Sequence, residues 1–193
     1  MEYITLTSDL ITLSPLSFEH EAELNQAAKD GKLWQLWYTS VPHPDNTKSY
    51  IEKALQQHKQ GTALPFVVID NETKKVIGCT RICNAQVAHN RVEIGYTWYA
   101  KSKQKTAVNT QCKLLLLQYA FEQLGCIAVE FRTHWHNIAS RNAIARLGAK
   151  QDGVLRNHQI MADGTVRDTV VFSILNNEWP AVKKSLQFRL SQH

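Results

Sequence analysis

The chain has 193 residues, 44% hydrophobic and 20% charged, and its 22 lysines and arginines against 17 aspartates and glutamates give a net charge of +5. This composition excludes a disordered or low-complexity polypeptide, and the length suits one domain, residues 1–193, able to bury most of its apolar surface. The longest aliphatic run, Leu114 to Leu117, is too short to cross a bilayer.

In chain order, the first twenty residues contain Glu2, Asp9 and Glu19 and no apolar core, so we expect no signal peptide and a cytoplasmic protein. Alternating residues predict a strand over 10–13, and helical spacing predicts helices over 18–28 and 46–60. Between those helices, LWQLWYTS carries Trp34, Trp37 and Tyr38 within five positions. Strands follow over 65–69 and 76–82, joined by NETKK, which reads as a hairpin turn. A strand over 92–98, a helix over 108–124 and a strand over 127–133 then form a β-α-β unit whose strands should run parallel. On the first of these strands, alternation places Val92, Ile94, Tyr96 and Trp98 on one face and Arg91, Glu93, Gly95 and Thr97 on the other. A helix over 138–147, strands over 154–160 and 166–174 joined by MADG, and a helix over 178–190 complete the chain. The expected architecture is α/β in the mixed α+β sense: a mostly antiparallel seven-stranded sheet with one parallel crossover and helices on both faces.

Cys79, Cys83, Cys112 and Cys126 form no C-x-x-C pair and read as reduced core thiols. His134 and His136 flank Trp135 without a third ligand nearby, so no metal is expected. The positive residues are scattered except at Lys101, Lys103 and Lys105, which suits a local anion site and not a nucleic-acid track. These lysines lie in the polar loop before the long helix. Free N–H groups and the helix dipole there favour an anion, although many helices begin this way without binding one.

The segments EIGYTW, QKTAVNT, YAFEQLG and VEFRTHWHNIASRNAIARLGAKQDGVLRNH together resemble the GCN5-related N-acetyltransferase (GNAT) superfamily. Within it they are similar to the branch of ribosomal-protein N-terminal acetyltransferases, RimJ and RimL. The resemblance implies acetyl-CoA as cofactor, a GNAT fold, and transfer to a primary amine by direct attack. The acceptor it implies is a protein or peptide N-terminus, with a small-molecule amine, or a non-catalytic acyl-CoA-binding domain, as the alternatives. From the charge pattern and the short aliphatic run, no nucleic acid or membrane partner is expected, and a homodimer is possible.

Residue by residue, the family's pyrophosphate loop falls on Gln104, Lys105, Thr106, Ala107, Val108 and Asn109, followed by Thr110. Ala107 stands where the family has glycine, Asn109 replaces a small residue, and Lys105 takes a position where this branch often has another glycine. Backbone N–H groups around Tyr96, Thr97 and Trp98 would hold the pantetheine and polarise the thioester. Asn137 and Ser140 match the N-x-x-S step, placing the Ser140 hydroxyl near the thioester sulfur; both residues also suit a helix cap. Glu93 is the candidate base and lies among substrate contacts, or it is held in an ion pair with Arg91 or Arg132. A further carboxylate of the ribosomal-protein branch aligns near Gln159, where it is absent. Trp34, Trp37 and Tyr38 would wall the acceptor groove, or pack in the core.

Overall fold

Residues 2–192 are described in the computed structural model. The elements run β1 (Leu6–Thr7), β2 (Ile11–Pro15), α1 (Glu21–Lys29), α2 (Thr47–Lys59), β3 (Leu64–Asp70), β4 (Val76–Gln86) and β5 (Arg91–Tyr99). They continue with α3 (Ala107–Gln118), β6 (Ala128–His134), α4 (Ile138–Arg146), β7 (Lys150–Ile160), β8 (Val166–Leu175) and α5 (Trp179–Leu190). One sheet takes the order β1-β2-β3-β4-β5-β6-β8-β7. Its neighbours are antiparallel except β5 and β6, the parallel pair of the crossover.

Seven strands were expected and eight are present. The additional one is β1, whose pairing is confined to Leu6 with Leu13 and Thr7 with Thr12. Two residues are too few to leave an alternating signature. The two hairpins follow from local chemistry. Asp70 Oδ1 accepts the N–H groups of Glu72 and Thr73 at 2.9 and 3.1 Å, turning NETKK. Gly164 takes φ +82° in MADG, and the Met161 N–H donates to the Thr165 carbonyl at 2.8 Å.

Two apolar clusters cover the two faces of the sheet. Val92, Ile94, Leu116, Leu117, Phe131 and Val170 pack together on the α3 and α5 side. Leu24, Ile51, Val67, Cys79 and Trp98 pack on the α1 and α2 side. The long helix is shorter than its apolar stripe suggested: α3 ends at Gln118, and Tyr119–Gln123 form a π turn. There Phe121 stacks on Trp179 at 5.3 Å and the Trp179 indole N–H donates to Glu122 Oε1 at 2.9 Å. A wider turn lets both side chains reach α5.

The faces of β5 also differ from simple alternation. Cys79 pairs with Trp98 and Arg81 with Gly95, so two steps along β4 match three along β5. The extra residue is a β-bulge at Tyr96, which has φ +53°. Val92 and Ile94 face α3 as expected, but past the bulge the pattern inverts, and Trp98 joins the α1 and α2 cluster while Tyr99 joins the other. Glu93, Gly95, Tyr96 and Trp98 therefore share one face.

Leu117 is fully buried between α3 and the sheet. Leu117→Ala should lower the unfolding free energy by about 2–5 kcal/mol with an unchanged m-value in urea. A loss under about 1 kcal/mol would contradict this packing.

Candidate active site

The bulge has a consequence for the neighbouring strand. β5 and β6 pair only through Arg91 with Ala128, Val92 with Val129, and Glu93 with Glu130. Beyond Glu93, residues 94–99 have β4 as their only strand partner, while β6 continues on β8. The two parallel strands thus part into a fork, and one edge of β5 presents unpaired peptide groups along it. Lys113 of α3 braces this stretch from behind: its Nζ donates to Thr97 Oγ1 at 2.5 Å, and Thr97 Oγ1 lies 2.7 Å from Thr80 Oγ1. Burial lowers the affinity of Lys113 for its proton.

The loop from β5 to α3 closes the wide end of the fork. Gln104 Nε2 donates to the Tyr99 carbonyl at 3.0 Å, and the Thr106 hydroxyl donates to the Lys103 carbonyl at 2.8 Å. Thr106 is the N-cap, accepting the Val108 N–H at 3.3 Å. Ala107 begins the helix, and its φ is not among the positive ones, so glycine is not needed there. The left-handed residue of this loop is Lys105, φ +60°, exposed at the start of α3. Asn109 lies within α3, its Oδ1 accepting the Tyr99 hydroxyl at 3.3 Å. Thr110 follows in the same first turns. Lys103 is engaged elsewhere, pairing with Asp70 at 2.5 Å.

Across the fork, Asn137 caps α4 by accepting the Ser140 N–H on Oδ1 at 3.0 Å. Capping therefore falls to Asn137, and the Ser140 hydroxyl makes no hydrogen bond among the described residues.

Glu93 is 8% exposed at the root of the fork. Its Oε2 accepts Asn84 Nδ2 at 2.6 Å and lies 3.7 Å from Arg132 Nε. Arg91 turns instead to Glu130, at 3.6 Å. Burial pushes the Glu93 carboxyl above its ordinary value; Asn84 and Arg132 oppose the shift, and Glu130 adds to it. A concavity of ≈ 370 Å³ opens beside it, lined by Asn84, Gln86, Arg91, Glu93, Glu130 and Arg132 among others.

The three aromatic residues of the 33–38 segment separate. Trp34 packs against the α1 and α2 cluster, its ring edge-on to His43 at 5.3 Å. Trp37 and Tyr38 reach the end of β6, with ring centroids 4.9 and 6.4 Å from His134. Gln159 is exposed on β7, opposite Arg167 in register.

Arg81 and Arg167 escaped the sequence reading. Arg81 is 3% exposed, lies over the Tyr96 ring at 4.1 Å, and donates to Gln57 Oε1 at 2.6 Å. Its signal was a lone arginine inside the apolar run VIGCTRIC. Arg167 donates Nε to Thr169 Oγ1 at 2.9 Å, and its charge reaches both Glu93 and His134. Among the described residues no cluster of His, Cys, Asp and Glu is placed to hold a metal, and no helix is long and apolar enough to cross a membrane.

An acetyltransferase (GNAT) domain model matches residues 11–150. An N-acetyltransferase of Bacillus licheniformis, p20, is 24% identical over 177 residues, 91% of this chain and 98% of that protein. The [ribosomal protein uS5]-alanine N-acetyltransferase of Escherichia coli is 22% identical over 142 residues, 71% of this chain and 70% of that one. Among solved structures, a GCN5-related N-acetyltransferase from Brucella melitensis has a TM-score of 0.85 at 29% identity, covering 97% of this chain and 85% of that one. RimL, the ribosomal L7/L12 alpha-N-protein acetyltransferase in complex with coenzyme A, has a TM-score of 0.74 at 16% identity over 89% of this chain and 98% of that one. The mixed sheet, the forked parallel pair and a family match spanning most of the chain agree: this protein belongs to the GNAT acetyltransferase family and is an N-acetyltransferase.

Proposed function

We propose that this enzyme transfers the acetyl group of acetyl-CoA to the α-amine at a protein or peptide N-terminus, in the manner of RimJ and RimL. The observation that carries the reading is the fork, with free β5 peptide groups along one side and a buried carboxylate at its root. Pantetheine amides would bond the exposed edge near Tyr96, Thr97 and Trp98, and an N–H there would polarise the thioester carbonyl. The neutral amine attacks the carbonyl carbon, a C–N bond forms, and the tetrahedral intermediate collapses with cleavage of the C–S bond. Glu93 takes the amine's proton, and the Ser140 hydroxyl supplies one to the departing thiolate.

Two further features support an N-terminal acceptor. The uS5 enzyme, similar over 71% of the chain, acts on a ribosomal protein's alanine. An α-amine is about a tenth neutral at pH 7, against roughly four parts in ten thousand for lysine, so it suits a site whose base is tied to Asn84 and Arg132. A cytoplasmic location is part of this reading.

Lys105 gives the loop a function that glycine lacks. A non-glycine residue in the left-handed region is strained by about 1 kcal/mol, and such strain at a binding loop suggests that its side chain is used. We assign its exposed ammonium to the pyrophosphate.

Mixing the protein with acetyl-CoA and peptides tests the reaction: thiol release that depends on a free N-terminus supports it, and tight CoA binding without release contradicts it. Because Glu93 must be ionised to act, kcat/KM should fall as pH drops through its raised pKa. Glu93→Gln should lower turnover at neutral pH and abolish that acid limb, leaving CoA affinity unchanged; equal rates would remove Glu93 as base. Lys105→Gly should raise stability by about 1 kcal/mol yet weaken CoA binding, measured by calorimetry, by about tenfold. Unchanged affinity would show that the loop's backbone suffices.

A further inference from the structure

His134 ends β6 on the face that carries Glu130 and Arg132, opposite Val129 and Phe131, which enter the core. It is 3% exposed. Its Nδ1 accepts the backbone N–H of His136 at 3.1 Å. An accepting ring nitrogen carries no proton, so the neutral imidazole holds its proton on Nε2. Burial, then Arg167 and His136, lower the ring's affinity for a second proton, and Asp168 opposes them. His134 is thereby fixed as a hydrogen-bond donor.

That donor is buried and has no partner among the described residues. A buried N–H without an acceptor costs about 1–3 kcal/mol, and such groups are rare in folded proteins. Around it stand the rings of Trp37, at 4.9 Å and nearly perpendicular, Tyr38 and His136. Trp37 is 52% exposed and its indole N–H makes no hydrogen bond among the described residues, so its displacement costs ring contacts with Tyr38, His134 and His136 and no hydrogen bond. Between this corner and Glu93 lies Arg167, which forms no ion pair among the described residues.

A buried donor without a partner, packed against the half-exposed ring of Trp37 and four residues beyond Glu130 on the same face of β6, suits an acceptor oxygen brought in by the substrate. We propose that His134 Nε2–H donates to the carbonyl oxygen on the carbon adjoining the one that bears the attacking amine, with Trp37 displaced as the acceptor enters. The site then selects α-amino carbonyl compounds over simple amines. This deepens the N-terminal acetyltransferase reading and rests on it. The carbonyl can come from a peptide bond or from the carboxylate of a free amino acid, with Arg167 nearby to meet the second.

The test compares an alanine-initiated tripeptide, free alanine and isopropylamine as acceptors, with wild type, His134→Phe and His134→Gln. His134→Phe should reduce kcat/KM for the tripeptide about tenfold, mainly through KM, with CoA affinity and the isopropylamine rate unchanged. His134→Gln, which keeps an N–H donor, should recover most of the loss. A larger effect on tripeptide than on alanine identifies the peptide carbonyl as the source, and the reverse identifies the carboxylate. Wild-type kinetics in His134→Phe, or an equal loss on all three acceptors, would overturn the proposal. A readout free of turnover is the Nε2–H resonance of His134 in histidine-labelled protein with CoA bound, which should move downfield on adding tripeptide or alanine. No movement up to millimolar acceptor would also overturn it. A shift without acetyl transfer to any acceptor would leave this contact standing and contradict the proposed reaction.

Discussion

Three residue pairs hold β5 to β6, and the fork begins where that pairing stops. Its cause is the extra residue at Tyr96, which places Gly95 and Tyr96 on the same face and turns the strand away from its parallel neighbour. The broken ladder exposes peptide groups that a sheet would otherwise consume. It also leaves Glu93 at the last closed rung, where burial is deep enough to raise its pKa and the opening is one residue away. The cost of the positive φ is met by packing: Tyr96 lies against Arg81, and Thr97 is tied to Thr80 and Lys113.

Charge in this region follows the same geometry. Glu93 and Glu130, side by side in register, would repel each other without Arg132, which contacts both, and Arg91, which takes Glu130. Arg81 and Arg167 have no carboxylate of their own among the described residues. Among the described residues the face of the fork is therefore richer in arginine than in acid. The aromatic corner formed by Trp37, Tyr38 and His134 bounds that face at the far end of β6.

Much of this was legible in the sequence, for identifiable reasons. Strong turn signals in NETKK and MADG, and the shift from a period of two to a period near four between Trp98 and Leu114, set out the antiparallel hairpins and the parallel crossover. The short β1 was missed because two residues carry no period. The bulge was missed because alternation in VEIGYTW reads correctly on each side of it and carries no mark of the inserted residue. That one residue reassigned Trp98 to the opposite face. In the loop the left-handed residue is Lys105, two positions before Ala107, and sequence alone holds no φ. Arg81, Arg167 and the orphaned Nε2 of His134 depend on what surrounds them in space, and residues far apart in the chain supply those surroundings.

The most direct measurement is a crystal structure with coenzyme A bound. The account predicts the pantetheine arm between β5 and β6 beyond the Glu93 and Glu130 pair, its amides bonded to peptide groups of residues 94–99 and its pyrophosphate at the start of α3. Coenzyme A bound elsewhere, or a fork closed by further β5–β6 pairing in the complex, would contradict it.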